Sequence, residues 1–333
     1  MRRAGSEAGR ARRAAVALGL ALLAGAALPA AAETFPDKPV RIIVPFPPGG
    51  GVDVLIRAVA AELSARWGQP VVIDNRAGAG GLIGAQAVAK AAPDGYTLLA
   101  TINQTITSNR FLYKNLPYDP DKGFAPVSLM VGSDQFLIAN PSVPATDLRA
   151  LVALARTRAT PFAYGSFGSG SQPHLLYELL KTQAKIELTH IPYKGVAPAI
   201  TATLAGEIQL STGSAGVAGE LMRAGKLKPL AVAGKHRSAQ FPEVPTTAEQ
   251  GWPMLLAPTW YALLAPAGTP SAIVEQIATD VHAVLMQPAF AERNAHAKGL
   301  EVIAGGPAEL AAAIREDVTL TGAMVRTAGV QPE

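Results

Sequence analysis

Apolar residues in this chain occur either in short continuous runs or at helical spacing, and corners rich in glycine and proline separate the two patterns. Residues 40–46 form an apolar run dominated by β-branched side chains, and this predicts a buried strand that Pro47 and Pro48 end abruptly. Over residues 52–67 the apolar positions follow the period of a helix. The pattern therefore predicts a strand, a glycine corner at residues 49–51 and a helix.

The same alternation continues to the end of the chain. Further strands are predicted at residues 70–74, 96–100, 125–131, 135–139, 162–164, 187–191, 207–212, 229–233, 260–264 and 301–303. Helices are predicted between them at residues 82–91, 147–158, 173–182, 196–204, 218–224, 271–286, 288–297 and 307–327. Strands that alternate with helices at this spacing indicate βαβ units and parallel sheets.

The first 32 residues have the pattern of a secretory signal peptide. Five arginines precede an apolar stretch at residues 14–28, and Ala30 to Ala32 provide a cleavage signal before Glu33. The apolar stretch is shorter than the roughly 20 residues that a membrane-spanning helix needs. We expect cleavage after Ala32 and a free periplasmic protein; Arg12-Arg13 leaves twin-arginine export open beside the general secretory route.

Removal of this segment changes the charge balance. It contains five of the 29 basic residues and one of the 25 acidic residues, so the remaining chain has 24 of each. A neutral chain without a basic stripe argues against nucleic-acid binding. The chain has no cysteine, which excludes disulfides, thiolate metal sites, a cysteine nucleophile and a lipid anchor.

The mature length favours two domains, because about 300 residues exceed the size of most single cores. The predicted order of elements places residues 33–132 and 257–333 in a first α/β domain and residues 133–256 in a second. Residues 234–258 are irregular and proline-rich, as expected for the return crossing. Two doubly wound domains joined by two crossings would form a clamp around a cleft.

Three loops rich in glycine, serine or threonine follow predicted strands, at residues 47–51, 101–105 and 166–172. Ligands of open parallel sheets bind at the carboxyl ends of strands, where all three loops are expected. The loops offer backbone N–H groups and hydroxyls with little fixed positive charge, which suits a carboxylate. The glycine patterns of nucleotide-binding loops are absent, so a nucleotide phosphate fits less well.

An enzyme would need a nucleophile, a base or metal ligands in a recognisable arrangement. Ser166, Ser169 and Ser171 with His174 allow a secreted hydrolase or isomerase as the alternative function, but the chain has no G-x-S-x-G elbow. His174 near a helix start is more typical of a capping or packing histidine. The remaining histidines lack metal-ligand spacing, so we predict neither catalysis, a metal nor a cofactor.

Ordered motifs from about residue 35 to residue 329 resemble those of the Bug family, the periplasmic substrate-binding proteins of tripartite tricarboxylate transporters. The motifs are V-P-F-P-P-G-G-G-V-D-V (44–54), G-Q-P-V-V-I-D-N-R-A-G-A-G-G (68–81), A-P-D-G-Y-T-L-L (92–99), L-P-Y-D-P (116–120), I-P-Y-K-G-V-A-P-A (191–199), F-P-E-V-P-T (241–246) and L-L-A-P-A-G-T-P (263–270). The resemblance implies a type II periplasmic-binding fold that closes on a small organic acid and delivers it to membrane components of such a transporter. A sensor receptor is a further possible partner, and we expect a monomer.

The resemblance also implies where the ligand binds. The first loop and the serine-glycine loop of the second domain would hold a carboxylate, Thr105 would add a contact, and Thr212 with Gly213 would meet the distal end. Phe167 lies within the second of these loops, Phe46 and His174 lie beside the two loops, and these three residues complete the predicted site. Its residues are Phe46, Pro47, Pro48, Gly49, Gly50, Thr105, Ser166, Phe167, Gly168, Ser169, Gly170, Ser171, His174, Thr212 and Gly213.

Several positions depart from the family pattern. Gly51 and Val52 stand where two hydroxyl residues are common, Ile106 replaces a frequent histidine, and Phe167 replaces a small residue. Gly213 stands where several amino-acid-binding members have aspartate. These differences argue against an amino acid and favour a dicarboxylate or an aromatic carboxylate.

Overall fold

The computed structural model describes residues 35–168, 170–193 and 195–332. Residues up to Asp37 belong to a separate N-terminal unit, and both sheets lie in the unit from Lys38 to Glu333. The predicted signal peptide, residues 1–32, lies outside the described residues.

Strands from the whole length of the main unit form two sheets. In chain order they are β1 (Val40–Val44), β2 (Val71–Asn75), β3 (Thr97–Ile102), β4 (Phe124–Ser133), β5 (Gln135–Ala139), β6 (Phe162–Ser166), β7 (Leu188–Pro192), β8 (Leu210–Ser214), β9 (Lys228–Val232), β10 (Thr259–Pro266) and β11 (Glu301–Gly305). The first sheet has the order β11-β4-β10-β3-β1-β2 and the second the order β7-β6-β8-β5-β9. The mixed α/β fold with two domains is thus confirmed, while the predicted domain boundaries stay a prediction.

Helices connect most of these strands and cover the sheets. In chain order they are α1 (Gly51–Trp67), α2 (Leu82–Ala89), α3 (Asn103–Ile106), α4 (Asn109–Leu112), α5 (Leu148–Thr157), α6 (Gln172–Ala184), α7 (Val196–Ala205), α8 (Ala215–Arg223), α9 (Ser271–Leu285), α10 (Pro288–Asn294) and α11 (Pro307–Ala328). Single 3₁₀ turns precede α2 at Ala79–Gly81 and follow α10 at His296–Lys298. No helix in the described part of the chain combines the length and the apolar character that a bilayer crossing requires.

Both sheets are mixed rather than purely parallel. In the first sheet β1 pairs parallel with β2 and β3, whereas β10 pairs antiparallel with β3 and with β4. In the second sheet β5 pairs antiparallel with β8 and β9. Strands joined through a helix return in the same direction, whereas β5 and β10 enter directly from a crossing and run the opposite way.

The core of each lobe follows from the apolar runs that define the strands. Ile42 and Ile43 of β1 and Leu98 and Leu99 of β3 are almost completely buried in the first lobe. The second lobe has its own cluster around Tyr164, Tyr177 and the strands β5, β6 and β8. Met324 and Val325 near the end of α11 pack into this second cluster, so the last helix contacts both lobes.

The predicted strand at residues 207–212 begins later than expected. The chain leaves α7 through Gly206 in the left-handed conformation, and the N–H of Glu207 bonds back to the carbonyl of Ala202. These bonds close the helix end, so β8 starts only at Leu210.

The return crossing is fixed by hydrogen bonds from both lobes. The carbonyl of Pro258 accepts from Asn103 Nδ2 at 2.9 Å and from Gln172 Nε2 at 2.7 Å. Thr259 Oγ1 donates to Gln172 Oε1 at 3.1 Å. Asn103 also donates to the buried Asp317 of α11 at 2.9 Å. The crossing at Pro258 is therefore linked to α11 through Asn103 and to α6 through Gln172.

Candidate functional site

The corner between β1 and α1 is held in place by Asp53, whose side chain is 3% exposed. Its Oδ2 accepts from the N–H of Gly49 at 2.9 Å and from Arg57 Nε at 3.0 Å. Its Oδ1 accepts from Asn75 Nδ2 at 2.8 Å, and Asn75 also donates to the carbonyl of Phe46 at 3.1 Å. The hydrogen bond from Arg57, reinforced by those from Gly49 and Asn75, lowers the pKa of Asp53 to about 2. Asp53 is therefore ionised, and it fixes both sides of the corner.

The first backbone N–H groups of α1 are left open at this corner. Gly50 is the N-cap and provides no capping side chain, and the first bond of the helix runs from the N–H of Val54 to the carbonyl of Gly50. Within the described residues, the N–H groups of Gly51 and Val52 have no acceptor. Open N–H groups at the positive end of a helix dipole favour an anion.

These N–H groups border a cavity of about 780 Å³ between the two lobes. This volume falls in the range of about 300–1,000 Å³ that small-molecule sites occupy. The walls are largely apolar and come from the first lobe at Phe46, Pro47, Pro48, Gly50, Gly51, Val52, Asp53, Ile102 and Tyr261, and from the second at Gly195, Val196, Ala197 and Pro198.

The second-lobe wall of the cavity is another open helix N-terminus. α7 begins after Gly195, which has a φ of 118° and provides no capping side chain. The N–H groups of Val196 and Ala197 find no acceptor among residues 35–332 as described. The cavity therefore lies between the N-termini of α1 and α7, with apolar side chains around it.

Tyr261 contributes a polar atom to the first-lobe wall. It lies at the start of β10 and pairs with Ile102 at the end of β3. No described residue forms a hydrogen bond with its hydroxyl. Because β10 runs antiparallel to β3, its first residues share the sheet edge where the parallel strands end.

The predicted serine-glycine loop is bound mainly to itself. Ser166 is fully buried, and its Oγ lies 2.6 Å from Nε2 of His190 and accepts from the N–H of Gly168 at 3.1 Å. Ser171 Oγ donates to the carbonyl of Gly168 at 2.6 Å. The N–H of Gly170 donates to Nδ1 of His174 at 3.0 Å, so His174 closes the loop as the capping interpretation predicts.

His174 and His190 stack with ring centroids 4.1 Å apart, and Tyr164 stacks on the other side of His190. Burial lowers the pKa of His174. Burial, with the neighbouring His174 ring, lowers the pKa of His190 to about 4. An imidazole with this pKa is a weak base near neutral pH. The contact between Ser166 and His190 fixes the start of the loop, because the same Ser166 oxygen accepts from the N–H of Gly168.

The structure separates the predicted site residues into two groups. Phe46, Pro47, Pro48 and Gly50 line the large cavity, while Gly49 faces Asp53. Phe167 and Ser171 line a separate cavity of about 240 Å³ beside Gln104 and Tyr113. Gly170 borders a smaller one of about 50 Å³, which shares Ile102 with the large cavity. The two predicted loops thus border different cavities.

The remaining predicted residues lie deeper. Thr105 is fully buried and accepts from Thr101 Oγ1 at 2.7 Å. Thr212 is 2% exposed, and its hydroxyl has no hydrogen-bond partner in the described part of the chain. A side chain at Gly213 would meet Ala218 and Ile200 in the second-lobe core. Ser169 lies outside the described residues.

Tyr261 and residues 195–198 were not predicted from the sequence. The strand–glycine–helix pattern at residues 187–204 repeats that of residues 40–67, and this similarity was the available signal. Residues 195–198 contain neither serine nor threonine, so a pattern of hydroxyl-rich loops does not select them. Tyr261 had no such signal, because a predicted strand does not reveal its direction in the sheet.

No three histidine, aspartate or glutamate side chains come together among the described residues in a way that could hold a metal ion. Apart from Tyr261, Asp53 is the ionisable residue among those that line the cavity, and its oxygens are already engaged. The arrangement can bind an anion through backbone N–H groups.

Comparison with known proteins finds similarity along nearly the whole chain. A family model described as the tripartite tricarboxylate transporter family receptor matches residues 55–330. Protein BugT of Bordetella pertussis is 37% identical over 309 residues, which cover 92% of this chain and 94% of BugT.

Two solved structures with bound acids share the fold. Rpa4515 of R. palustris with adipate aligns with a TM-score of 0.78 and 34% identity, covering 90% of this chain and 100% of that one. MatC from Rhodopseudomonas palustris with bound malate aligns with a TM-score of 0.73 and 32% identity, covering 87% of this chain and 100% of that one.

Proposed function

The chain belongs to the tripartite tricarboxylate transporter receptor family, and we propose that its ligand is a dicarboxylate with an aliphatic or aromatic middle, held in the cleft between the lobes. As a member of this family it is a solute-binding protein for carboxylates. The proposal concerns which carboxylate it takes and how the cleft holds it.

The observation that carries the proposal is the pair of open helix N-termini on opposite walls of the 780 Å³ cavity. Each helix N-terminus can bind one carboxylate, because its backbone N–H groups donate hydrogen bonds to the carboxylate oxygens. Phe46, Val52, Ile102 and Pro198 provide apolar surface for the part of the ligand between the two anions. A ligand with two anionic ends and an apolar middle matches this arrangement.

Two solved relatives support the same class of ligand. Rpa4515 contains adipate and MatC contains malate, both of which are dicarboxylates. Four of the expected contacts, Phe46, Pro47, Pro48 and Gly50, are among the residues that line the cavity, which supports the proposal. In the serine-glycine loop, Phe167, Gly170 and Ser171 line smaller cavities instead.

Delivery completes the proposed function. The ligand-bound protein passes its ligand to the membrane components of a tripartite transporter, or presents it to a sensor receptor. It acts in the periplasm as a monomer after removal of residues 1–32. The ligand drives closure only to the extent that it binds the closed arrangement better than the open one.

The binding role is proposed without catalysis. Ser166 and His190 are within hydrogen-bond distance of each other, and the low pKa of His190 leaves it a poor base. Turnover of a bound acid that disappears in His190→Gln while binding persists would favour the hydrolase alternative instead.

A thermal-shift screen tests the proposal. The mature protein, freed of ligand by unfolding and refolding, is mixed with matched mono-, di- and tricarboxylates. We expect a dicarboxylate to give the largest rise in melting temperature, because a ligand that binds only the folded state stabilises it. A screen in which no carboxylate raises the melting temperature would contradict the proposal.

A charge placed on the cavity wall locates the site. Ala197→Glu puts a carboxylate at the N-terminus of α7, where it favours the helix dipole but repels an anionic ligand. Thr201→Glu adds the same charge to the same helix at an exposed position. We expect ligand binding to be lost in the first variant and kept in the second; equal binding in both would place the ligand elsewhere.

A further inference from the structure

The first-lobe end of the cavity lacks a hydroxyl side chain on its own loop. Residues 49–52 are three glycines and a valine, and the N–H groups of Gly51 and Val52 are open. A carboxylate at this end would find backbone donors but no donor from a side chain of that segment.

Tyr261 reaches this end of the cavity from the neighbouring strand. A Cβ atom built on Gly51 would overlap the Tyr261 hydroxyl and lie 3.3 Å from the ring carbon Cζ. The phenol oxygen therefore occupies the space where a side chain at residue 51 would stand. Tyr261 pairs with Ile102 at the end of β3, and both residues line the cavity.

The hydroxyl of Tyr261 is available to a ligand. Tyr261 lines the cavity, and none of the described residues hydrogen-bonds to its oxygen. Burial raises the pKa of this phenol, so it remains protonated near neutral pH and can donate. A phenol donor suits a carboxylate, because both carboxylate oxygens accept hydrogen bonds and a charged acceptor makes the bond stronger than the neutral carbonyl of an amide does.

We propose that Tyr261 is a specificity-determining residue whose hydroxyl donates a hydrogen bond to the ligand carboxylate at the N-terminus of α1, and that Gly51 provides the space for it. This inference rests on the proposed function. Residues 51 and 261 then act as a pair: a side chain at 51 and a phenol at 261 compete for one position beside the ligand.

Titration calorimetry on a double-mutant cycle tests the pair. The probe is whichever of succinate, glutarate, adipate, pimelate and terephthalate binds the ligand-free wild-type protein most tightly. Tyr261→Phe removes the donor and keeps the ring, and we expect the Kd to rise about tenfold or more, as for loss of a hydrogen bond to a charged group. Tyr96→Phe, which removes a phenol beside the opposite end of β3, is the control and should leave the Kd within about twofold of wild type, as for a remote substitution.

Gly51→Ser supplies the second arm of the cycle. In the wild-type background the new side chain collides with the phenol, so the Kd should rise. In the Tyr261→Phe background the oxygen is gone, and the serine hydroxyl can serve the carboxylate, so the same substitution should leave the Kd unchanged or lower it. The change in Kd caused by Gly51→Ser should therefore differ in sign or size between the wild-type and the Tyr261→Phe backgrounds.

The results of these titrations distinguish a failure of the role of Tyr261 from a failure of the proposed dicarboxylate binding. Wild-type binding that is unchanged by Tyr261→Phe, or equal effects of Gly51→Ser in both backgrounds, would overturn the role of Tyr261 and leave the proposed function standing. A wild-type protein that binds none of the five acids would overturn both. Unfolding curves for each variant establish that a loss of binding occurs in folded protein.

Discussion

Single residues decide how the first corner of the fold presents its N–H groups. Asp53 holds Gly49, Asn75 and Arg57 at once, and it does so as a buried anion. Its sequence position predicts only a favourable acid in the first turn of a helix. The structure adds that this acid connects the loop, the helix and the next strand.

Asp53→Asn should lower stability and remove part of its dependence on acid pH. The pKa of Asp53 falls from 3.8 to about 2 on folding. The carboxylate therefore stabilises the fold above pH 3.8, and this contribution is lost as pH falls through about 2. Urea unfolding at pH 7, 4 and 3 should show a less stable variant whose stability falls less between pH 4 and 3. Parallel curves for the two proteins would contradict this role.

His190 gives a pH dependence at milder acidity. Its pKa falls from 6.5 to about 4 on folding, so the unfolded chain binds more protons between these values. The contribution is fully present above pH 6.5 and is lost as pH falls toward 4. His190→Gln should therefore lose less stability than wild type between pH 7 and pH 4.5 in urea unfolding. His174, whose pKa is also lowered, leaves a residual slope in the variant; an unchanged slope would refute the assignment.

The position of the β1–α1 corner depends on a close contact between the end of β1 and helix α2. α2 crosses the end of β1 at Gly84, where an added Cβ would lie 2.7 Å from Pro45 Cβ and 2.8 Å from Pro45 Cα. Only glycine allows this approach. The position of the β1–α1 corner therefore depends on a helix that does not itself line the cavity.

Gly84→Ala should shift Pro45 and weaken both folding and binding. Overpacking of this kind costs about 1–3 kcal/mol, and replacing glycine in a helix gains about 1 kcal/mol, so we expect a net loss of up to about 2 kcal/mol. Urea unfolding and dicarboxylate titration of the variant measure the two effects. Raised stability with wild-type affinity would show that α2 can move without disturbing the corner.

Local pattern predicts most of the elements, because strand, corner and helix over residues 40–67 each depend on neighbouring residues. It fails at residues 207–209, where hydrogen bonds that close α7 replace strand pairing. The sequence pattern indicates one wall of the cavity and not the other. Residues 46–50 are visible as a glycine corner, whereas the facing wall at Gly195 and the phenol of Tyr261 depend on which strands become neighbours and in which direction.

The whole molecule depends on close contact between its lobes. Besides the crossing at Pro258, the first turn of α8 meets the 3₁₀ turn at residues 296–298. A Cβ on Gly216 would overlap the carbonyl of Lys298, and Gln240 Nε2 donates to the carbonyl of His296 at 2.9 Å. The two lobes therefore approach so closely at Gly216 that the contact leaves no room for a side chain there.

Gly216→Ala should push this contact apart and weaken ligand binding by favouring a more open arrangement. Gly219→Ala in the same helix is the matched control, since its Cβ would meet nothing closer than 3.5 Å. Small-angle scattering should show a larger radius of gyration for ligand-free Gly216→Ala and a wild-type value for the control. Identical scattering and affinity in the two variants would mean that the contact does not govern lobe spacing.

The central claim is that two open helix N-termini hold the two carboxylates of one ligand. Titration calorimetry of the ligand-free protein with a dicarboxylate and with its monoamide of equal length tests it most directly. The account predicts one-to-one binding of the diacid at micromolar Kd or tighter and at least about tenfold weaker binding of the monoamide, the loss expected when one charge-assisted contact is removed. Equal affinity for the two compounds, or no binding of any dicarboxylate, would contradict it.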